Sequence, residues 1–272
     1  MPDNEYEVVI AQFGTRQGHR SEVFLNYQLS GLPDGPIGMD YFVWVIRNAE
    51  RTILVDTGFS VAGGANRKRT FVKDVPSIYE ALGIDTDAEQ TIIVTHAHYD
   101  HIGNLDLFPK AQIVIAQAEY DFWTSPMGGR QQFHHSVEDA EIDTLRAAYD
   151  EGRVRTFSGG EQFAPGIEII ELGGHTPGQS AVRVTTSEGD VLLASDAVHY
   201  YEEYEADLPF AFVADLPKMY EGFDRIRELM SSGVTHLVCG HDPDTLNRFT
   251  RVEHGPLAGI AATIGTSYGK AE

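Results

Sequence analysis

One cysteine, Cys239, stands among 272 residues, so the chain can close no disulfide within itself, which suits a reducing compartment. Long apolar runs are missing too: none approaches the roughly 20 residues that a membrane-crossing helix needs. The start, Met1-Pro2-Asp3-Asn4-Glu5, is acidic and leads into no apolar stretch of secretory type. A cytoplasmic protein is expected. Basic residues are scarce, with 20 Lys and Arg against 41 Asp and Glu and a formal net charge of −21. Nucleic acids and anionic membranes are held by clustered cations, so neither is expected as a partner, and the charge reads as solubility. No linker, low-complexity tract or close repeat divides the chain. A hydrophobic content of 42% is enough for a sizeable core, and the length suits one α/β domain over residues 1–272.

What is abundant is metal-binding chemistry in one place. Ile92-Ile93-Val94 reads as a buried strand, and Thr95 then leads into His96, His98, Asp100 and His101, four potential ligands within six residues. Imidazoles and carboxylates are poor core residues, and crowding them loses hydration unless a cation sits among them. Three later segments repeat the plan of a strand running into a ligand. Ile167 to Leu172 leads to Gly174-His175-Thr176-Pro177-Gly178, Val191 to Ser195 leads to Asp196, and His236 to Cys239 leads to Gly240-His241.

In this order, H-x-H-x-D-H, G-H-T-x-G, a strand-end Asp and G-H, the chain resembles the metallo-β-lactamase superfamily. The resemblance spans Asp56-Thr57-Gly58 to His241. Within it, the chain is most similar to the N-acyl-homoserine lactonase-like branch. That placement rests on Asp196, on Gly240-His241-Asp242-Pro243, and on Met39 to Val45 ahead of Val55-Asp56-Thr57-Gly58. The resemblance implies a four-layer αββα sandwich of two similar halves, with metals at one edge between the sheets. It implies that His96, His98 and His175 hold one ion, that Asp100, His101 and His241 hold a second, and that Asp196 bridges them. It also implies that Asp56 lies behind the ligands and orients them, where an ordinary Asp turn would be the plainer reading.

Seven ligands exceed what one tetrahedral ion takes, and donors of nitrogen and oxygen only suit Zn²⁺, with Fe, Co or Mn as alternatives. Two such ions about 3.5–4 Å apart lower the pKa of a water between them from about 15.7 toward 7. The resulting hydroxide attacks a carbonyl carbon while one cation stabilises the oxyanion. The expected activity is therefore hydrolysis of a lactone or related ester of a small molecule. An aryl ester, cyclic amide, β-lactam or thioester is the alternative, and an iron oxidoreductase is a further one. Asp100 is placed to pass a proton to the leaving group. Homoserine lactonases carry a substrate-contacting Tyr three residues after the bridging Asp. Here that residue is His199, followed by Tyr200 and Tyr201. Either His199 serves a related purpose or Tyr200 swings in, while a His199 facing solvent is the plain reading. A basic region for glutathione is lacking, since only Arg248, Arg251 and Lys270 follow His241.

Elsewhere, strands are expected over 6–13, 40–47, 52–56, 111–116, 154–157, 161–164, 166–171, 180–185, 190–194 and 235–239. Helices are expected over 75–82, 117–123, 138–149 and 217–230, with another over 256–264. Residues 14–38 read as loop with a short strand near 23–29, and Arg16, His19 and Arg20 in it suit a site wall or a surface connection alike. Arg67, Lys68 and Arg69 read as a solvated loop, His134 and His135 as surface residues, and 199–209 as loop. Aromatic residues in the loops 14–38, 124–137 and 199–213 suit an acyl or aryl substrate, ordinary packing or a homodimer contact.

Overall fold

The computed structural model describes residues 4–265. Met1, Pro2, Asp3 and Lys270 lie outside them. The first strands in chain order are β1 (Glu7–His19), β2 (Pro36–Arg47), β3 (Thr52–Val55), β4 (Thr70–Phe71), β5 (Thr91–Val94), β6 (Gln112–Ala116) and β7 (Val154–Phe157). They form one sheet. The strands β8 (Gly160–Ala164), β9 (Ile167–Glu171), β10 (Ser180–Thr186), β11 (Gly189–Ser195) and β12 (Val234–Cys239) form the second. The chain then returns to the first sheet as β13 (Thr250–Arg251) and β14 (Ala261–Ile264), giving the orders β13-β14-β1-β2-β3-β5-β6-β7 and β12-β11-β10-β9-β8, with β4 on β1.

The strands are apolar on both faces because both faces are covered. Along β1, Val8 and Ile10 point between the sheets and Val9 and Ala11 point outward. Trp44 and Ile46 of β2 likewise alternate with Val43 and Val45. The inner cluster meets Ile169, Val182, Val191 and Leu193 of the second sheet. Outside the first sheet, Val75, Ile78 and Tyr79 of the helix Val75–Ala81 pack with Ile142, Leu145 and Ala148 of the helix Asp139–Asp150. Outside the second, the helix Leu216–Ser231 supplies Met219, Phe223, Ile226 and Leu229. Three apolar interfaces thus separate four layers. Side chains cap both helices, with Asp74 accepting from Ser77 N–H and Asp215 from Lys218 N–H.

Four segments differ from expectation. Residues 14–19 and 36–39 are strand, because the β1–β2 ladder continues from Gly14↔Tyr41 to His19↔Pro36 past a bulge at Gln12/Gly14. The strand expected near 23–29 is instead a helical turn, Arg20–Val23, and a 3-10 turn, Tyr27–Ser30, with only a single bridge from Phe24 to Phe210. The helix expected over 256–264 is a loop and then β14. Gly255 and Gly259 have positive φ, and 261–264 pair with β1 from Val8↔Ile264 to Ala11↔Ala261, so tertiary pairing overrides helix propensity. Finally, Tyr201–Glu205 is helical rather than loop.

Arg67 and Arg69 are half-buried rather than solvated. The Arg67 guanidinium pairs with Glu138 and lies 4.0 Å from the centre of the Tyr99 ring. No helix among the described residues is long and apolar enough to cross a membrane.

Glu141, on the inner face of its helix, accepts from Ser60 Oγ at 2.8 Å, while its other oxygen is buried without a hydrogen-bond partner among the described residues. Burial pushes its carboxyl up to about 7. A carboxyl raised in the folded state stabilises below its unfolded pKa, and that contribution is lost as pH rises through about 7. Glu141→Gln should therefore raise Tm relative to the parent by roughly 3–6 °C at about pH 8, and by much less at about pH 5. Calorimetry at the two pH values checks this, and an equal Tm difference at both would contradict the protonated Glu141.

Candidate metal centre

All the ligand segments leave the same ends of their strands. Strands β3, β5, β6 and β7 run parallel, as do β11 and β12, so their C-terminal ends share one edge. Asp56 follows β3, His96 follows β5, and Asp196 and His241 follow β11 and β12. Asp56 and Ser195 adopt positive φ (61° and 48°) at the strand ends, a conformation that non-glycine residues rarely keep away from functional sites. Gly240 must be glycine, because a Cβ there would lie 2.6 Å from Asp196 Oδ1.

His96, His98 and His175 form one group and Asp100, His101 and His241 another, every member buried. The ring centres of His96 and His98, and of His98 and His175, are 4.6 Å apart, and His175 Nε2 lies 3.0 Å from His98 Nδ1. Asp196 lies between the groups. Its Oδ2 is 3.5 Å from His175 Nε2 and 3.7 Å from His96 Nε2, and its Oδ1 is 3.4 Å from His101 Nε2 and 3.1 Å from His241 Nε2. Asp100 is 3.9 Å from His101 Nε2 and 3.8 Å from His241 Nε2.

Hydrogen bonding behind the rings decides which nitrogen faces inward. His241 Nδ1–H donates to the Asp40 carbonyl oxygen at 2.8 Å, and His175 Nδ1–H to that of Phe212 at 2.7 Å. His101 Nδ1–H donates to Asp56 Oδ2 at 2.7 Å. Asp56 also accepts from Thr95 N–H and from the Thr95 hydroxyl at 2.7 Å, so that hydroxyl oxygen can only accept from His96 Nδ1 at 3.2 Å. In each case Nε2 is the nitrogen turned toward the cage, as metal-binding histidines require. Burial, then neighbouring imidazoles, hold His96 and His98 well below the usual range and His175 down to about 3, so these rings are neutral. Burial alone would raise Asp196, but His241, His199 and His101 hold it well below the usual carboxylate range.

The residues fit a pair of divalent cations. His96 Nε2, His101 Nε2 and Asp196 Oδ1 are buried without a hydrogen-bond partner among the described residues, which is costly for polar atoms unless something else meets them.

His199 does not face solvent. It is fully buried, stacked on Phe210 at 3.8 Å, with Nε2 3.1 Å from Asp196 Oδ2 and Nδ1 3.1 Å from Glu203 Oε2. Burial pulls its pKa down, but the two carboxylates win and hold it up to about 9. Tyr200 is buried with its hydroxyl donating to the Gly38 carbonyl oxygen, and it does not line the cavity above the cage. That cavity is walled by Arg16, Met39, Tyr41 and Arg69 on one side and by His135, Phe210 and Phe212 among others, with Asp100, Asp196 and His98 reaching it. His135 packs on Phe212 at 4.6 Å, while His134 pairs with Asp139 at the surface.

Two important residues had no sequence signal of their own. Glu119 has no exposed surface. Its Oε1 accepts from Ala97 N–H and Trp123 Nε1–H, and its Oε2 from Thr176 Oγ1–H and Gly178 N–H, so it ties the His96–His98 turn to the His175 turn. Glu203 orients His199 from four residues on. That spacing is legible only once 201–205 is known to be helical.

Comparison with known proteins agrees with this geometry. Residues 38–241 match the metallo-beta-lactamase superfamily. An N-acyl homoserine lactonase of Bacillus sp. is 26% identical over 222 residues, which cover 75% of this chain and 82% of that one. The crystal structure of a quorum-quenching N-acyl homoserine lactone lactonase shares the fold with a TM-score of 0.74 at 22% identity, covering 90% of this chain and 95% of the other. The dizinc quorum-quenching lactonase AidC, in complex with a product, shares it with a TM-score of 0.69 at 18% identity, covering 98% and 96%.

Asp56→Asn should weaken the hold on one of the two cations by roughly 10–100-fold. An amide presents N–H to His101 Nδ1, which flips the ring tautomer and puts a proton on the Nε2 that faces the cage. Metal content after dialysis against a graded chelator reads this directly. Unchanged retention in a folded variant would remove Asp56 from the orienting role.

Proposed function

Because the chain belongs to the metallo-beta-lactamase superfamily, we propose that it is a dinuclear metal-dependent hydrolase that opens a lactone of the N-acyl-homoserine type or a related ester. The observation that carries this reading is the cage itself, two groups of inward-facing donors sharing Asp196 beneath an open cavity. The lactonases among its relatives support the substrate class. Zinc is our reading of the ions, from the all-nitrogen and oxygen donor set.

When bound, the pair of cations supplies an acidified water at neutral pH and a Lewis acid for the substrate carbonyl. The chain's own residues do the rest. Asp196 lies between the two groups, with both of its oxygens 3.1 Å from His241 Nε2 and its Oδ2 3.5 Å from His175 Nε2, and so links them. Asp100 sits where cage and cavity meet, and its carboxylate is placed to pass a proton to the leaving oxygen. Phe210, Phe212 and His135 offer an apolar wall for the acyl part. His199 lies behind Asp196 and off the cavity wall, so it acts by positioning that carboxylate, itself held by Glu203. Tyr200 takes no part in this reading, because its hydroxyl is committed to Gly38.

Proton release from acyl-homoserine lactones and aryl esters by metal-assayed protein tests the reading. Acid release should stop with a chelator and return with Zn²⁺. No release from any lactone or ester with both ions bound would sink it.

His199→Phe should lower kcat roughly tenfold or more with metal content retained, by losing the charge-assisted contact to Asp196. His199→Gln, which keeps an N–H near Asp196, should recover part of that loss and shift the pH–rate profile. Equal rates in all three proteins would leave His199 a packing residue.

A further inference from the structure

Two guanidiniums in the cavity wall make no ion pair among the described residues, although the Glu22 carboxylate, which accepts from the His19 N–H, lies near Arg16 beside Gly18. In a chain with 41 acids and 20 bases, arginines find carboxylates readily, as Arg47 does with Glu7, Arg183 with Asp190 and Arg227 with Asp207. Arg67, in the same wall, has Glu138 and the carbonyl oxygens of Gly63, His135 and Val137. Arg16 and Arg69 make no ion pair among the described residues.

Arg16 stands on β1 opposite Met39, and its Nε donates to Met39 Sδ at 3.2 Å, a weak acceptor. Its two terminal nitrogens have no hydrogen-bond partner among the described residues. Arg69 donates from Nε to Tyr99 Oη at 2.9 Å and from Nη1 to the Arg67 carbonyl oxygen at 2.7 Å, which leaves Nη2 over. Both side chains are half-buried, and both flank Tyr41 on the wall of the cavity. The carboxylate nearest to Arg69 in its field is Asp100, whose oxygens lie toward His101 and His241 and whose charge the cage uses.

A partly desolvated guanidinium without a counter-anion is unfavourable, and its planar fork of N–H donors matches a carboxylate. The missing anion is best supplied by what enters the cavity. We propose that Arg16 and Arg69 bind a carboxylate carried on the acyl part of the substrate, so that the preferred substrates are anionic esters or lactones rather than plain alkyl ones. This rests on the hydrolase reading of the same site. In the reaction, water adds to the acyl carbon, the C–O bond to the leaving oxygen breaks, that oxygen takes the proton, and the distal carboxylate is unchanged. The acyl product is a dicarboxylate.

The test compares two aryl esters with one leaving group, an aryl butyrate and the aryl half-ester of succinate, on metal-loaded full-length protein. The half-ester should win in kcat/KM by roughly tenfold or more, the size of one charge-assisted contact, and added salt should erode that preference. In the double variant Arg16→Met/Arg69→Met the ratio should fall toward one. A parent ratio of one or less, or a ratio unmoved by the double variant, overturns the proposal. If that variant does not fold, Arg16→Lys/Arg69→Lys keeps the charge and loses the fork, and the ratio should fall partway; an unmoved ratio there counts against the proposal equally. If neither ester is cleaved, acid release from the lactones decides the hydrolase reading separately. Calorimetry with glutarate and butyrate then decides the cation pair, since tighter binding of glutarate that the variant loses supports it and equal binding overturns it.

Discussion

Asp56 is the carboxylate from which the centre hangs. It has no exposed surface, and its two oxygens accept the Thr95 backbone N–H, the Thr95 hydroxyl and His101 Nδ1–H. Because an ionised carboxylate can only accept, each of those contacts has its direction forced. The Thr95 oxygen is left to accept from His96 and from Ser195 Oγ, 2.9 Å away at the end of β11. One buried charge thereby sets the tautomer of a histidine in each ligand group and pins the end of β5 to the end of β11, across the gap between the two sheets. Removing its donors would leave a desolvated anion, which is why the network is complete where it could be.

A second carboxylate plays the corresponding part on the other side. Glu119 holds Ala97, Thr176 and Gly178 at once, so the turns carrying His98 and His175 move together or not at all. The rest of the sandwich serves to keep these few contacts dry and in place. Apolar layers on either side of each sheet leave the strands no freedom to slide, and all the ligands then leave from one edge. The site's precision comes from rigid strand ends, while the cavity above it is built from turns and short helices whose side chains can differ without disturbing the cage.

Much of this was legible in the chain itself. The runs Ile92–Val94, Val191–Ser195 and Leu237–Cys239 announce buried strands, and a polar ligand directly after each has a short, local geometry to satisfy. The helices were legible too, since their apolar residues recur at helical spacing. The C-terminal segment was not. Residues 256–264 look helical by pattern, and only pairing with Val8 to Ala11, some 250 residues earlier, makes them a strand. Arg67 and Arg69 look solvated for want of any sign that Tyr99 and Glu138 would come to meet them.

The division is one of sequence distance. The sequence alone pointed to the residues that gather in the cage and to their order, because they follow buried strands within a few positions. Tertiary structure decided which nitrogen of each ring faces inward, which carboxylates stand behind, and which cations border the cavity. His241 takes its orientation from Asp40, 201 positions away, and Glu119 finds Gly178 across 59. Such partners leave no periodicity or spacing to read, because only the packing of one layer on another brings them within hydrogen-bond reach.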